Sequence, residues 1–190
     1  MTARVEGTTL LDVRGVNVVY EPNRGTRIWS VREVDLALKE GEFVGLVGES
    51  GCGKSTLGFA LTRMLRAPAR LENGVIQFNG VDVASLSGEV LRRQRRNGFA
   101  IVLQSGMNAL NPVRNVEDHF ADILKAHSRS GEHHPRAAVR RRGVELLGKV
   151  RLDPAVLSKF PFELSGGMRQ RVSIALVLAL EPRMIVFDEP

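Results

Sequence analysis

A nine-residue segment in the first third of the chain has the residue types and spacing that hold phosphate groups. It comprises Gly48, Glu49, Ser50, Gly51, Cys52, Gly53, Lys54, Ser55 and Thr56. The glycines let backbone N–H groups converge on phosphate oxygens, and a following helix adds its positive N-terminal dipole. Lys54 would contact the β- and γ-phosphates of a nucleotide, and Ser55 would be a ligand of Mg²⁺. A glycine-rich turn that binds nothing is the alternative, but the segment matches the phosphate-binding pattern at every fixed position.

The only cysteine of the chain, Cys52, lies inside this segment. A thiol beside Lys54 could serve redox chemistry, but phosphoryl transfer needs no thiol. A small side chain that fills a permitted loop position is therefore the favoured interpretation. A single cysteine also excludes an internal disulfide and fits a reducing compartment.

Two adjacent carboxylates, Asp188 and Glu189, follow the apolar run 184–187. A strand that ends there would present Asp188 to Mg²⁺, directly or through water, and Glu189 to an attacking water as a general base. Acidic residues also end strands merely because they reach solvent. The combination with a phosphate-binding segment favours the catalytic interpretation.

A third segment, residues 164–171, places a hydroxyl residue and two glycines at the predicted start of a helix. Ser165 would cap this helix, and Gly166 and Gly167 would leave backbone N–H groups facing an anion. A plain helix cap explains the same residues equally well. On physical grounds alone both interpretations stay open.

The elements that must position these segments form an α/β pattern. Residues 11–20 and 31–38 are predicted strands, and the run 43–47, bounded by glycines, is predicted to be a buried strand of a parallel core. A helix over 54–66 would follow the phosphate-binding segment and end before Pro68. Further strands are predicted at 74–78, 99–103 and 184–187, and a basic helix at 87–96.

The segment from Ser105 to about Glu163 has little strand signal and reads as an inserted helical subdomain. It contains predicted helices at 116–125, behind an Asn115 cap, and at 136–150, behind Pro135. A last helix would run from the Ser165 cap to about residue 180. We therefore expect an ATP-binding core over 1–104, a helical subdomain over 105–163, and a return to the core over 164–190.

Composition limits the function without deciding it. The chain has 190 residues, 43% hydrophobic and 25% charged, which is a globular balance. Its formal charge of +6 suits a nucleic acid, an anionic membrane face or a phosphate-rich ligand. The most apolar stretch, 172–180, is far shorter than the roughly 20 residues that cross a bilayer, so any membrane role must be peripheral.

Together, residues 48–56, 164–172 and 188–190 resemble the motifs of ATP-binding-cassette (ABC) ATPases, and specifically the ATPase subunits of bacterial oligopeptide, dipeptide and nickel importers. The stretch Ala109–Pro112 after Gln104 is similar to a Leu-Asn-Pro stretch of that group. The resemblance implies a P-loop nucleotide-binding domain with an N-terminal antiparallel β subdomain. It also implies that Gln104 senses the γ-phosphate through Mg²⁺ and water, and that the ring of Tyr20 stacks on adenine. A strand-surface tyrosine is the alternative for Tyr20.

The resemblance further implies the partners of the protein. Two ATPase domains would pair head to tail, with Ser165, Gly166 and Gly167 of one domain contacting ATP held by the other. Membrane permease subunits would bind the pair at the cytoplasmic face of the membrane, and an extracytoplasmic solute-binding protein would act indirectly. No nucleic acid is expected as a partner.

The sequence also departs from the family pattern. Phe162 stands where a histidine is expected, and Ser105-Gly106 replaces an Asp-Pro pair, which weakens the assignment of a solute more than that of an ATPase. The family's switch histidine and further strands would follow Pro190, so we expect the chain alone to bind ATP but turn it over poorly. The alternatives are a non-catalytic, truncated nucleotide-binding protein and a soluble ABC ATPase that acts on nucleic acid or ribosomes.

Overall fold

The computed structural model describes residues 8–22, 25–103, 110–128 and 134–188, apart from the side chains of residues 93, 96 and 97. The chain divides into two compact units, Met1–Gly98 and Phe99–Pro190. The first unit carries the phosphate-binding segment, and the second carries the two later motifs. The finer division into core, helical subdomain and returning segment stays a prediction.

The first unit is built on an antiparallel sheet with the strand order β2-β1-β3-β4. The inner strand over residues 9–20 is apolar and buried along most of its length, and its residues Val16, Val18 and Val19 have no exposed surface. The N-terminal antiparallel β subdomain expected from the resemblance is therefore confirmed. The strands are β1 (Thr9–Tyr20), β2 (Ile28–Lys39), β3 (Ala69–Phe78) and β4 (Val81–Asp82).

The two helices of this unit are α1 (Lys54–Leu61) and α2 (Gly88–Gly98). Helix α1 is shorter than the predicted 54–66. The hydroxyl of Thr62 donates a hydrogen bond to the Gly58 carbonyl at 2.9 Å, and Arg63 has φ +53°. A left-handed residue ends an α-helix, so this local turn stops α1 well before Pro68.

The predicted buried strand at 43–47 is wrong for this structure. Residues 42–49 have no strand geometry, and Phe43 and Val47 are 92% and 94% exposed. A short apolar run becomes a strand only when a neighbour supplies a ladder of hydrogen bonds. Among the described residues, the run 43–47 has no such neighbour, since one sheet consists of residues 9–20, 28–39, 69–78 and 81–82 and the other of residues 99–103 and 184–188.

The second unit contains a parallel pair of strands, β5 (Phe99–Leu103) and β6 (Met184–Asp188). Phe99 lies opposite Met184, and the register continues to Leu103 opposite Asp188. The parallel core pairing expected after the antiparallel strands is thus present between these two. Because the strands are parallel, their carboxyl ends lie at the same edge.

The described part of this unit also contains the helices α3 (Val116–His127), α4 (Arg136–Lys149) and α5 (Gly166–Leu178). Two 3₁₀ turns, Pro154–Ser158 and Pro161–Glu163, lie between α4 and α5. One hydrophobic core joins α3 and α4 with α5, and Phe120, Leu147 and Val172 are completely buried in it. Helix α5 therefore shares its core with the predicted helical subdomain.

The caps that the sequence predicted for these helices are present. The Asn115 side chain accepts a hydrogen bond from the Asp118 N–H at 2.8 Å, and Pro135 directly precedes α4. Glu117, with 7% of its side chain exposed, binds Arg136 at 3.0 Å and Arg140 at 2.8 Å. This buried carboxylate ties the start of α3 to the start of α4.

In the ranges that the structure describes, no helix has the length and apolar content required to cross a bilayer.

Candidate functional site

The phosphate-binding segment wraps around the first turn of α1. Gly51 and Gly53 have φ angles of +82° and +100°, a left-handed backbone that glycine adopts without strain. The Leu57 N–H donates to the Gly53 carbonyl at 2.8 Å and opens the helix. The N-terminal N–H groups of α1 thus point toward the loop, as anion binding requires.

The ammonium group of Lys54 lies inside this loop. Its Nζ donates hydrogen bonds to the carbonyl oxygens of Gly48 at 2.8 Å and Glu49 at 2.6 Å. The Cys52 Sγ is 3.8 Å from the same Nζ, and the Cys52 N–H donates to the Glu49 carbonyl at 3.3 Å. The loop therefore holds one positive charge at its centre, on a side chain long enough to exchange carbonyl partners for phosphate oxygens.

Tyr20 lies next to the same helix turn, at the end of β1. Its hydroxyl is 3.3 Å from the Oγ1 of Thr56, the last residue of the phosphate-binding segment. The half-buried ring is thus held beside the loop through its hydroxyl. The structure brings Tyr20 and residues 48–56 together within the first unit.

Sequence reasoning missed one residue of this site, Ser30 of β2. Its Oγ donates to Thr56 Oγ1 at 3.2 Å, and its carbonyl oxygen would lie 2.4 Å from a Cβ added at Gly53. A serine in a β-strand carries no local signal of function. Its part in the site becomes visible only when α1 packs against the sheet and brings Thr56 and Gly53 to Ser30.

Ser165 is the N-cap of α5, and its Oγ accepts a hydrogen bond from the Met168 N–H at 3.3 Å. Ser165 and Gly167 are exposed, so the start of this 13-residue helix lies at the surface of the second unit. The capping role predicted from the sequence is confirmed. Binding of an anion by Gly166 and Gly167 stays a prediction.

The segment before Ser165 is held in place by Glu163. Its carboxylate accepts the Phe160 N–H at 2.7 Å and pairs with Lys159 at 3.0 Å. The Phe160 N–H and then the Lys159 ammonium hold the pKa of Glu163 below its ordinary value. Phe162, the residue that replaces the family's histidine, is 73% exposed and stacks on Phe160 with the ring centroids 5.6 Å apart.

Asp188 ends β6 and is half-buried. The prediction that the apolar run 184–187 forms a strand leading to Asp188 is confirmed. Two other residues with predicted catalytic roles, Glu189 from its place after the strand and Gln104 from the resemblance, lie outside the described residues. Their roles stay predictions.

Of the residues predicted to bind magnesium, Ser55 in the first unit and Asp188 in the second each offer a hard oxygen atom of the kind that this ion prefers, Gln104 lies outside the described residues, and binding of Mg²⁺ stays a prediction. In the described part of the chain, no three histidine, cysteine or acidic residues cluster as a metal cage. Mg²⁺ commonly keeps several waters and binds through one or two protein oxygens plus substrate phosphates. Each of these oxygen donors therefore suits Mg²⁺ in chemical type.

Comparison with known proteins places this arrangement in a family. The family profile described as ABC transporter matches residues 31–190, most of the chain. The chain belongs to the ABC transporter family. The sequence prediction of this family from residues 48–56, 164–172 and 188–190 is thereby confirmed.

Among curated relatives, this ABC transporter-family chain is 37% identical over 182 residues to the dipeptide transport ATP-binding protein DppD of Caldanaerobacter subterraneus subsp. tengcongensis. The match covers 95% of this chain and 55% of that protein. The glutathione import ATP-binding protein GsiA of Salmonella choleraesuis is 35% identical, with 98% of this chain and 30% of that protein covered. The chain thus spans about half of DppD and less of GsiA.

A solved structure with the same fold is the dimeric, post-hydrolysis state of the ATP-binding cassette MJ0796 bound to ADP and Pi. The TM-score is 0.81 at 28% identity, over 95% of this chain and 74% of that chain. The α/β fold predicted from the sequence, an ABC-type nucleotide-binding domain, is confirmed.

Proposed function

We propose that this chain is an ATP-binding and ATP-hydrolysing part of an ABC importer, and that peptides or a related solute are transported. The observation that carries the proposal is the Lys54 ammonium at the centre of the loop 48–53, at 2.6–2.8 Å from two loop carbonyls. A triphosphate is the ligand for which a cation, glycine N–H groups and a helix N-terminus are jointly suited. The names of DppD and GsiA support the import of peptides.

In the proposed reaction, residues 48–56 hold the phosphates of ATP, with Lys54 on the β- and γ-phosphate oxygens, and Tyr20 holds adenine. Mg²⁺, when bound through Ser55 and Asp188, would supply charge neutralisation at the phosphates. Glu189 would accept a proton from a water that attacks the γ-phosphorus, while the bond from that phosphorus to ADP breaks. Gln104 would sense the γ-phosphate through Mg²⁺ and water. The products are ADP and phosphate.

We also propose that the active form pairs two cassettes. The exposed start of α5 supports this, because Ser165, Gly166 and Gly167 present a helix N-terminus with no acidic residue in its first turn. The dimeric form of MJ0796 supports it as well. Permease subunits would bind the pair at the cytoplasmic face of the membrane, where the protein would be peripheral.

The test is nucleotide binding by the wild type, Lys54→Ala and a matched control, Lys149→Ala. Lys149 lies at the end of α4 and pairs only with Glu145 among the contacts described, at 3.0 Å. Because Lys54→Ala removes a charge-assisted hydrogen bond, it should lower the affinity for ATP about 10- to 100-fold, while Lys149→Ala should bind ATP like the wild type. Titration calorimetry with ATP checks this. Equal affinity in all three proteins would contradict the proposal.

Binding and turnover must be measured separately. Phosphate release that is lost in Lys54→Ala would support hydrolysis. ATP binding without phosphate release, even when the second cassette and permease subunits are present, would instead support the alternative of a non-catalytic nucleotide-binding protein.

A further inference from the structure

A buried hydroxyl at the end of the phosphate-binding segment is held by two neighbouring strands. Thr56 is 8% exposed, and its Oγ1 is 3.2 Å from the donating Ser30 Oγ and 3.3 Å from the Tyr20 hydroxyl. Tyr20 of β1 lies opposite Ile28 of β2. Because side chains alternate along a strand, Ser30 shares a face with Ile28 and therefore with Tyr20.

The backbone of Ser30 touches the loop as well. A Cβ added at Gly53 would lie 2.4 Å from the Ser30 carbonyl oxygen and 3.4 Å from its Oγ. Gly53 therefore approaches β2 more closely than any other residue type could. Ser30 thus contacts the residue before Lys54 through its backbone and the residue after Ser55 through its side chain.

We infer that Ser30 is a positioning residue of the nucleotide site, an inference that rests on the proposed function. The Ser30 carbonyl holds the Gly53 end of the segment 53–56, and the Ser30 hydroxyl holds the Thr56 end. Together they fix the backbone positions from which the Lys54 and Ser55 side chains extend. Through Thr56, the same hydroxyl network links the loop to Tyr20, the proposed adenine contact. The three hydroxyls set the spacing between the base end and the phosphate end of the site.

Loss of the Ser30 hydroxyl leaves Thr56 with one of its two hydroxyl partners described here. One neutral hydrogen bond has a net worth that corresponds to a change in affinity of about three- to tenfold. We therefore expect Ser30→Ala to lower the affinity for ATP by this factor. Ser30→Thr keeps a hydroxyl, so it should retain most of the wild-type affinity. Because the network joins Tyr20 to Ser30, Tyr20→Phe and Ser30→Ala should be non-additive in a double-mutant cycle.

The matched control is Thr62→Val at the other end of α1. The substitution removes a buried hydroxyl that donates to the Gly58 carbonyl at 2.9 Å. This partner lies within α1 and outside the segment 48–56. ATP affinity is measured by calorimetry at a temperature at which urea unfolding shows each protein to be folded. We expect Thr62→Val to lower stability and to leave ATP affinity unchanged.

The outcomes separate this inference from the proposed function. If Lys54→Ala weakens ATP binding about 10- to 100-fold while Ser30→Ala binds like the wild type, the positioning role is refuted and the proposed function stands. Additive effects of Tyr20→Phe and Ser30→Ala, or no rescue by Ser30→Thr, would also refute it. If the wild type binds no ATP, both fail.

Discussion

At the scale of single residues, some side chains hold a segment that leads into a predicted site residue. Glu163 is one such residue, because its carboxylate fastens the 3₁₀ turn directly before Leu164 and Ser165. Leu164 is buried in the hydrophobic core of the second unit, whereas Ser165 is exposed. The Glu163 contacts thus fix where the exposed start of α5 begins.

The pKa of Glu163 predicts a pH dependence of stability. It is lowered from 4.5, first by the Phe160 N–H and second by Lys159. The native state therefore binds fewer protons than the unfolded state, so the stability that Glu163 contributes is present above pH 4.5 and is lost as the pH falls through the lower, native value. We expect Glu163→Gln to flatten the plot of unfolding free energy against pH below about 4.5.

Urea unfolding between about pH 3 and pH 6 measures this effect. Lys159→Ala serves as the comparison, because it removes the second cause and leaves the Phe160 N–H in place. It should retain most of the pH dependence. If Lys159→Ala flattens the curve as much as Glu163→Gln does, the ion pair and not the backbone hydrogen bond is the main cause.

At the scale of elements, α4 is the helix that brings the core of the second unit together. Gly143 lies where α4 meets Leu157 and Phe120, both of which are completely buried. A Cβ at Gly143 would be 2.7 Å from Leu157 Cδ2 and 3.3 Å from Phe120 Cδ2. The absence of a side chain at this position therefore sets the distance between α4 and its neighbours.

Two alanine substitutions in the same helix should act in opposite directions. Gly143→Ala should destabilise the protein by about 1–3 kcal/mol, because it overpacks the core. At Gly148, an added Cβ would meet no atom within 4 Å, so Gly148→Ala should stabilise by up to about 1 kcal/mol through its higher helix propensity. Urea unfolding of both variants checks this pair. Equal effects of the same sign would contradict the packing described for Gly143.

At the scale of the whole molecule, 27 lysine and arginine residues against 21 acidic residues give the formal charge of +6, and several of the arginines form ion pairs. In the run Arg140-Arg141-Arg142, Arg140 binds Glu117, and Arg142 binds Glu145 and Glu181. Two of these three arginines therefore form ion pairs within the second unit. This favours the interpretation that the run stabilises the surface of the helices over the interpretation that it binds a nucleic acid.

This charge distribution predicts how the protein responds to salt. Any binding to duplex DNA should be weak and lost between about 50 and 200 mM salt, since such binding rests on counterion release. ATP binding should persist at 200 mM, because the contacts of Lys54 and the loop are short-range. Gel-shift and calorimetric titrations at both salt concentrations make the comparison. Tight DNA binding at 200 mM would favour the soluble, nucleic-acid-acting alternative.

Sequence alone determined what depends on local signals. The Asn115 and Ser165 caps, the residue before α4, and the strands at 11–20, 99–103 and 184–187 were all predictable, because caps and alternation act over a few residues. The nucleotide-binding fold was predictable as well. The phosphate-binding motif requires its glycines, lysine and hydroxyl residues in a fixed order along the chain.

Only the tertiary structure decided what depends on residues far apart in the chain. The run 43–47 has a strand's composition but forms no ladder of hydrogen bonds in this structure. Ser30 joins the site although it lies far from Gly53 along the chain, because α1 packs on β2. Pairing and packing between distant segments leave no mark in a local pattern, so these features could be found only in the folded chain.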